Sequence, residues 1–222
     1  MVPERQLLKP LPRKFYARDT QIVARELLGQ CLVHRLAGQD RIGRIVEVEA
    51  YLGPGDLAAH TARGPTPRTQ VMFGPPGNAY VYLIYGMHHC MNVVTGPEGS
   101  GTAVLLRALE PMANLEGSSN GPGRLCRAMG IDRSHYGHDL LSTDLFIASP
   151  STVEAFEIDR SARIGVDYAG DWRDKPLRFF IKGNRFVSRR RGGSTISAGV
   201  WAEPEARGPG RRHTKVDIEP VA

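Results

Sequence analysis

The sequence has few cysteines and no long apolar run, and each shortage excludes a class of protein. Its three cysteines, Cys31, Cys90 and Cys126, are odd in number and far apart among 222 residues, which favours reduced thiols over a disulfide framework. No stretch of about 18 consecutive apolar residues occurs, so a membrane-spanning helix is excluded. The start, MVPERQLLKPLPRKF, is charged and proline-rich and lacks the apolar segment of a signal peptide. We therefore expect a cytoplasmic protein without membrane attachment.

Lysine is also scarce, although the chain is basic. Lys and Arg together number 29 against 23 acidic residues, which gives a formal net charge of +6, and only five of the 29 are lysine. Arginine carries a fixed charge on a planar fork that suits phosphate groups, whereas lysine is the usual nucleophile for imine formation. The positive balance therefore indicates a polyanionic partner such as nucleic acid. A coding bias toward arginine would give the same composition, so this feature alone leaves both explanations open.

The motifs that bind metal ions and nucleotides are missing as well. The sequence contains neither a C-x-x-C nor an H-E-x-x-H pattern. His88 and His89 are successive residues of a predicted strand and point to opposite faces, so they cannot easily share one ion. Phosphate-binding loops of the P-loop and dinucleotide types are absent, which counts against an NTPase or an NAD enzyme. We therefore expect neither a metal ion nor a cofactor.

Glycine and proline are abundant, with 25 and 16 residues, and favour a turn-rich fold that contains a sheet. Asp19 is a helix cap in front of an apolar repeat that ends at Gly29. The pair Gly86–Met87 predicts a type II′ turn between two strands. The predicted elements are helices over 19–28 and 121–131, strands over 31–36, 41–52, 80–85, 88–94, 101–111 and 177–183, and a long loop over 53–79. We predict one domain over 1–188, followed by a basic Gly/Pro/Arg-rich tail over 189–222.

One predicted strand face carries two carboxylates beside an aromatic ring. In the segment 41–52, alternation places Glu47, Glu49 and Tyr51 on the same face. Such a pair of carboxylates usually faces solvent, but the loop that follows at once carries His60. A carboxylate, a ring and an imidazole in one place could hold a flat ligand beside a general base. These residue types leave a solvated strand face and a catalytic site as alternatives.

Two further residues are unusual for the strands in which they lie. Tyr85 comes directly before the predicted hairpin turn, where its ring is either a cross-strand packing group or a wedge that unstacks DNA bases. Arg107 lies in the apolar segment AVLLRALEP, and a buried charge must be paired or belong to a site. A salt bridge with Glu110 or another carboxylate is the simpler alternative.

Five segments together resemble the alkyladenine (3-methyladenine) DNA glycosylase family. The resemblance extends over about residues 15–188, and its most specific part is the pattern EAYxGxxDxAAH followed by YVYxIYGMxxCMN. The segments are GRIVEVEAYLGPGDLAAHTARGPTPR (43–68), MFGPPGNAYVYLIYGMHHCMNVV (72–94), AVLLRALEP (103–111), GPGRLCRAMGI (121–131) and ARIGVDYAGDW with KPLRFFIKG (162–183).

The resemblance implies a role for individual residues. Glu49 corresponds to the general base that deprotonates the attacking water, and Arg107 and the backbone carbonyl of Ile164 help to hold that water. Asn92 corresponds to the residue that crowds the exocyclic amine of guanine and so protects the normal base. The base pocket corresponds to Tyr51, His60, Tyr82 and Asn92, the DNA wedge to Tyr85 and Met87, and the phosphate-binding cations to Arg63, Arg68, Arg124 and Arg133.

The resemblance also implies a fold and an activity. The fold is an α+β single domain whose curved, mostly antiparallel sheet forms an open barrel, with helices around it and a protruding β-hairpin that inserts into DNA. The activity is that of a monomeric, monofunctional DNA glycosylase of base excision repair that flips 3-methyladenine, 7-methylguanine, hypoxanthine or ethenoadenine from double-stranded DNA. A water molecule, not a lysine amine, would break the N-glycosidic bond and leave an abasic site. The alternative is a protein that binds damaged nucleic acid on the same fold without catalysis.

Overall fold

Eight strands form one curled antiparallel sheet in the part of the chain that the structure, a computed structural model, describes: residues 8–36, 38–152 and 154–188. The strands are β1 (Cys31–Leu36), β2 (Gln39–Tyr51), β3 (Ala79–Ile84), β4 (His88–Thr95), β5 (Thr102–Ala113), β6 (Leu145–Ala148), β7 (Ile158–Ser161) and β8 (Arg178–Ile181). The helices are α1 (Arg13–Tyr16), α2 (Thr20–Leu27) and α3 (Pro122–Met129), with 3-10 turns at Gln70–Phe73, Arg133–His135 and Gly170–Asp174. The tail predicted over 189–222 lies outside the described residues.

The central strand β2 explains why the sheet curls. The strand order is β3-β4-β5-β2-β1-β6, and β8 pairs with both β2 and β7. One edge of β2 pairs with β5, while residues 39–44 pair with β1 and residues 47–49 pair with β8. The register against β5 shifts on both sides of Glu47, as at a β-bulge, and a bulge bends a strand. The prediction of an α+β domain with a curved antiparallel sheet is confirmed.

Helix α2 closes one face of the sheet and forms where the sequence predicts it. The side chain of Asp19 accepts hydrogen bonds from the N–H groups of Gln21 and Ile22, at 2.9 and 3.1 Å. Such a cap satisfies two of the backbone donors that every helix start leaves free. The helix buries Val23 and Leu27 in the main core. No helix among the described residues is long and apolar enough to cross a membrane.

The hairpin between β3 and β4 differs from the predicted turn. Tyr85 and Gly86 occupy its centre with φ angles of 52° and 69°, and the N–H of Met87 donates to the carbonyl of Ile84 at 3.2 Å. Two successive positive φ values are the mark of a type I′ turn, so the type II′ turn centred on Gly86–Met87 is wrong. The prediction failed because glycine is equally acceptable as the second central residue of a type I′ turn. Tyr85 and Met87 project from this tip, 84% and 69% exposed.

Candidate active site

A cavity of about 360 Å³ opens between the concave side of the sheet and the segment 164–168. Its wall contains six aromatic rings, those of Tyr51, His60, Tyr80, Tyr82, Tyr85 and Tyr168. Another depression, of about 390 Å³, lies between residues 8–12 and Ser149–Ser151, and none of the described residues that line it carries a carboxylate, an imidazole or an aromatic ring. The aromatic-walled cavity is therefore the candidate site.

Strand β3 supplies two rings of this wall, because alternate residues of a strand share a face. Tyr80 and Tyr82 are stacked, with ring centroids 5.3 Å apart and an interplanar angle of 28°. The His60 ring meets Tyr82 edge-on at 4.6 Å, and its Nδ1 lies 2.9 Å from the Tyr80 hydroxyl. Arg68 places its guanidinium 5.4 Å from the centre of the Tyr82 ring. Tyr82 and His60, both predicted for a base pocket, thus line the same cavity, and their role toward a base stays a prediction.

His60 stands at the rim of the cavity as a neutral side chain. The residue as a whole remains exposed, while its ring packs against the two tyrosines. Desolvation of the ring, and then the positive charge of Arg68, lower the pKa of His60 to about 4. At neutral pH its ring therefore offers one hydrogen-bond donor and one acceptor, which suits the edge of an uncharged or singly charged ligand.

Glu49 is fully buried directly behind the wall of the cavity. Its Oε1 accepts a hydrogen bond from the backbone N–H of Ile164 at 2.7 Å and lies 3.3 Å from Nη1 of Arg107. Its Oε2 accepts a hydrogen bond from the Tyr51 hydroxyl at 2.9 Å. Burial, and then the charge of Glu49, raise the pKa of Tyr51 well above its usual value, so this hydroxyl stays protonated and donates. Tyr51, Arg107 and Ile164 all line the cavity, so each residue that contacts Glu49 lies between Glu49 and the cavity.

Glu47, two residues earlier, is also fully buried but is engaged differently. Its Oε1 accepts from Nε of Arg107, Nε of Arg178 and the hydroxyl of Ser188, at 2.9, 2.7 and 2.8 Å, and its Oε2 accepts from the Ser188 N–H at 2.6 Å. Burial raises the pKa of Glu47, but the two guanidinium groups and these hydrogen bonds outweigh it and hold the pKa below the usual value. Glu47 therefore serves as a charged anchor for both arginines at neutral pH. The alternative in which the two carboxylates face solvent is wrong. Both are buried, and arginines from β5 and β8 form ion pairs with them.

Arg107 joins the two carboxylates from strand β5 and is only 6% exposed. Burial lowers the pKa of Arg107, but Glu49 and Glu47 outweigh that effect and raise it, so the guanidinium stays charged. The salt bridge with Glu110 that the sequence left open is absent among the described contacts: Glu110 lies 3.7 Å from Arg44 and accepts a hydrogen bond from Asn184. Arg107 is thus both paired and part of the site.

Of the remaining predicted residues, Asn92 and Tyr85 line the cavity. Asn92 of β4 is buried in the wall, and its Nδ2 donates to the backbone carbonyl of Tyr80 at 3.3 Å. Tyr85 lines the cavity from the hairpin, with Met87 beside it in the turn. The four arginines predicted to contact phosphate are all exposed: Arg63, Arg68, Arg124 and Arg133. Their role toward DNA, like that of the Ile164 carbonyl, stays a prediction.

Sequence reasoning missed a second buried ion pair next to Glu49. Asp56 and Arg163 are 0% and 1% exposed and form a bidentate pair, with N–O distances of 2.6 and 2.8 Å. Asp56 is the aspartate of the pattern EAYxGxxDxAAH, which was the only available signal for it. Arg163 and Arg178 gave none, because nothing local distinguishes a buried arginine from a solvated one. The buried charges near the cavity are three carboxylates and three guanidiniums: Glu47, Glu49, Asp56, Arg107, Arg163 and Arg178.

Comparison with known proteins identifies relatives that cover the whole site. A family model described as methylpurine-DNA glycosylase matches residues 14–185. A protein of Legionella pneumophila (strain Corby), provisionally named 3-methyladenine DNA glycosylase, is 56% identical over 182 residues, which are 82% of this chain and 100% of that protein. Proteins with the same provisional name from Anaeromyxobacter sp. (strain Fw109-5) and Myxococcus xanthus (strain DK1622) are 57% and 53% identical. These alignments cover 82% and 81% of this chain and 94% and 93% of the relatives.

Proposed function

The chain belongs to the methylpurine-DNA glycosylase family and is a DNA glycosylase, and on that premise we propose that it removes alkylated or deaminated purines from double-stranded DNA with Glu49 as the general base. The purines are of the 3-methyladenine, 7-methylguanine, hypoxanthine and ethenoadenine type. The product is an abasic site, the intermediate of base excision repair.

The observation that carries the proposal is a buried carboxylate directly behind a cavity walled by aromatic rings. A base inside a duplex is out of reach of any side chain, so an enzyme that acts on it must extrude it, at a cost of a few kcal/mol. The rings of Tyr51, His60 and Tyr82 offer faces on which an extruded purine can stack. Several alkylated purines are cationic, and an aromatic face attracts a cation. Damaged bases also pair poorly, so less energy is needed to extrude them.

The chemistry follows from the position of Glu49 against the wall. Glu49 accepts a proton from a water molecule while the water oxygen bonds to C1′ of the sugar, and the base departs with the electrons of the N-glycosidic bond. The sugar becomes an oxocarbenium-like cation on the way, and the negative carboxylate stabilises it. Arg107 and the Ile164 N–H hold Glu49 in place by the contacts given above. None of the described residues that line the cavity is a lysine, so none of them offers an amine for an imine with the abasic sugar.

The first test measures cleavage on duplex oligonucleotides that each contain one hypoxanthine, one ethenoadenine or one normal adenine, followed by treatment with alkali. We expect alkali-dependent strand breaks at the lesions and none at adenine. Strand breaks without alkali would contradict the absence of lyase activity. Methylated DNA, assayed for released 3-methyladenine and 7-methylguanine, covers the alkylated substrates.

A protein that binds damaged DNA without catalysis is the alternative outcome of the same test. It would bind the lesion duplexes and leave both the hypoxanthine and the methylated substrates intact. The complete arrangement of Glu49, Tyr51 and Arg107 favours catalysis, because a binding protein has no need for a buried carboxylate held by three donors.

Replacing the exposed ring at the hairpin tip tests whether Tyr85 fills the gap that an extruded base leaves. We expect Tyr85→Ala to weaken binding to a duplex that contains hypoxanthine by about 5- to 150-fold, because stacking of an aromatic ring on a base contributes about 1–3 kcal/mol. Binding to the single-stranded form of the same oligonucleotide should change little, since it has no gap to fill. Met112→Ala, which removes another exposed apolar side chain far along β5, is the matched control. Equal losses on both substrates would show that Tyr85 is not a wedge.

A further inference from the structure

The ion pair between Asp56 and Arg163 ties together three segments around the cavity. Nη1 and Nη2 of Arg163 donate to the two carboxylate oxygens of Asp56, and Nη1 also donates to the backbone carbonyl of Ala50 at 2.9 Å. Asp56 in turn accepts hydrogen bonds from the N–H groups of Leu52 and Ala58, at 3.0 and 3.1 Å. The end of β2, the loop that carries His60 and the segment before Ile164 therefore share one anchor. Neither member of the pair lines the cavity.

This anchor lies beneath both residues that hydrogen-bond Glu49 from the wall. Arg163 directly precedes Ile164, whose N–H donates to Oε1 of Glu49. The guanidinium of Arg163 also lies 4.6 Å from the centre of the Tyr51 ring, and the hydroxyl of Tyr51 donates to Oε2 of Glu49. Because Tyr51 lines the cavity and Arg163 does not, the cation supports the ring from outside the cavity. Each oxygen of Glu49 is thus held by a group that Arg163 fixes.

The burial of Asp56 and Arg163 indicates that their ion pair serves the candidate active site. A buried pair of ions usually gains little stability over apolar side chains of the same size, because both ions lose their hydration. Arg163 adds two directed contacts to its pairing with Asp56, one to a backbone carbonyl and one to the Tyr51 ring, at positions where a rigid fork is needed. Its charge balances Asp56, so that Arg107 remains paired with Glu49 and Glu47.

We propose that Asp56 and Arg163 are positioning residues for Glu49, which they orient toward the water by fixing the Ile164 N–H and the Tyr51 ring. The inference rests on the proposed function of Glu49 and adds two residues to it. The Ile164 N–H and the Tyr51 hydroxyl fix the direction of the two carboxylate oxygens, and loosening either contact lets the carboxylate turn away from the water.

The variant Arg163→Lys tests the proposal, because lysine keeps the charge beside Asp56 and loses the planar fork. We expect single-turnover excision of hypoxanthine at saturating enzyme to slow by about 10- to 100-fold, as misplaced catalytic groups do. The loss should appear in the rate and not in binding, so the dissociation constant for the lesion duplex should stay within about threefold of the wild type. Asp56→Asn retains an acceptor for only one of the Leu52 and Ala58 N–H groups, and it should also slow excision without weakening binding.

A core variant separates positioning from stability. Ile147→Val removes one methylene from the fully buried strand β6, which does not contribute to the cavity, and should lower the melting temperature without changing the excision rate. Wild-type excision rates in folded Arg163→Lys and Asp56→Asn would overturn the proposal. So would a loss of cooperative melting in both variants, since the pair would then serve the fold. If the wild type itself excises no lesion, the proposed function fails, and with it this inference; an active wild type with unchanged variants refutes the inference alone.

Discussion

Glu49→Gln should slow excision of a damaged purine by about 10²–10⁴-fold, the range that a general base contributes. Glutamine keeps the shape of the side chain, and its carbonyl oxygen can still accept the hydrogen bond from the Ile164 N–H. It cannot take a proton from water, and it offers no negative charge to an oxocarbenium-like sugar. The rings that hold the base are unchanged, so the lesion duplex should bind as tightly as it does to the wild type.

The measurement compares single-turnover rates and dissociation constants for one hypoxanthine duplex. Glu116→Gln removes the charge of an exposed glutamate that pairs with Arg41 on the surface, and it is the matched control for the loss of one negative charge. A Glu49→Gln rate close to that of the wild type would assign the role of general base to another group. A large loss of binding without a loss of rate would make Glu49 a ligand-binding residue.

Arg107→Met should have the largest effect on stability, a loss of about 3–5 kcal/mol in the free energy of unfolding. The substitution leaves Glu49 without its ion-pair partner and Glu47 with Arg178 alone, and all these groups are buried. Methionine fills most of the volume, so the loss reports uncompensated charge more than a cavity. Urea denaturation followed by circular dichroism measures it.

The pH dependence of that loss has a defined sign. Burial raises the pKa of Glu47, but Arg107 and Arg178 outweigh burial and hold that pKa below its usual value, so the stability that Arg107 contributes through Glu47 is present at neutral pH and is lost as the pH falls through the pKa of the folded state. The difference between wild type and Arg107→Met should therefore narrow in acid. Arg44→Met is the control, because Arg44 pairs with the partly exposed Glu110 and the exposed Glu154 and should lose only about 0–1 kcal/mol. Equal losses in the two variants would show that burial adds nothing to the Arg107 contacts.

Local features of the sequence predicted the parts of the fold that depend on neighbouring residues. Asp19 and the apolar repeat after it predicted helix α2. The alternation of side chains along a strand predicted the shared face of Tyr80 and Tyr82. The turn predicted at Gly86–Met87 was wrong and lies at Tyr85–Gly86, because a single glycine does not reveal which central position it occupies. The resemblance to a family, rather than the alternation, singled out Glu49 from Glu47.

Contacts between distant segments could not be predicted in this way. Arg178 and Ser188 reach Glu47 across 131 and 141 residues of chain, and Arg163 reaches Asp56 across 107. Alternation placed Glu47 and Glu49 on one face of β2 but could not show what covers that face. Burial of both carboxylates depends on arginines whose sequence surroundings resemble those of any surface arginine.

The long sequence separations between these contacting residues determine the order in which the contacts of the site can form during synthesis. Chain closure over long loops has an entropic cost that local contacts do not incur, so the contacts of Glu47 and Glu49 form late in folding. The carboxylates leave the ribosome early, on β2, whereas Arg163, Ile164 and Ser188 follow more than a hundred residues later. Arg107, which pairs with both carboxylates, is made before Arg163 and Ile164, so the growing chain carries a partner for the two acids before the Ile164 N–H can hold Glu49. Of the contacts described for Glu47, those of Ser188 can form only after its arginine partners have been made.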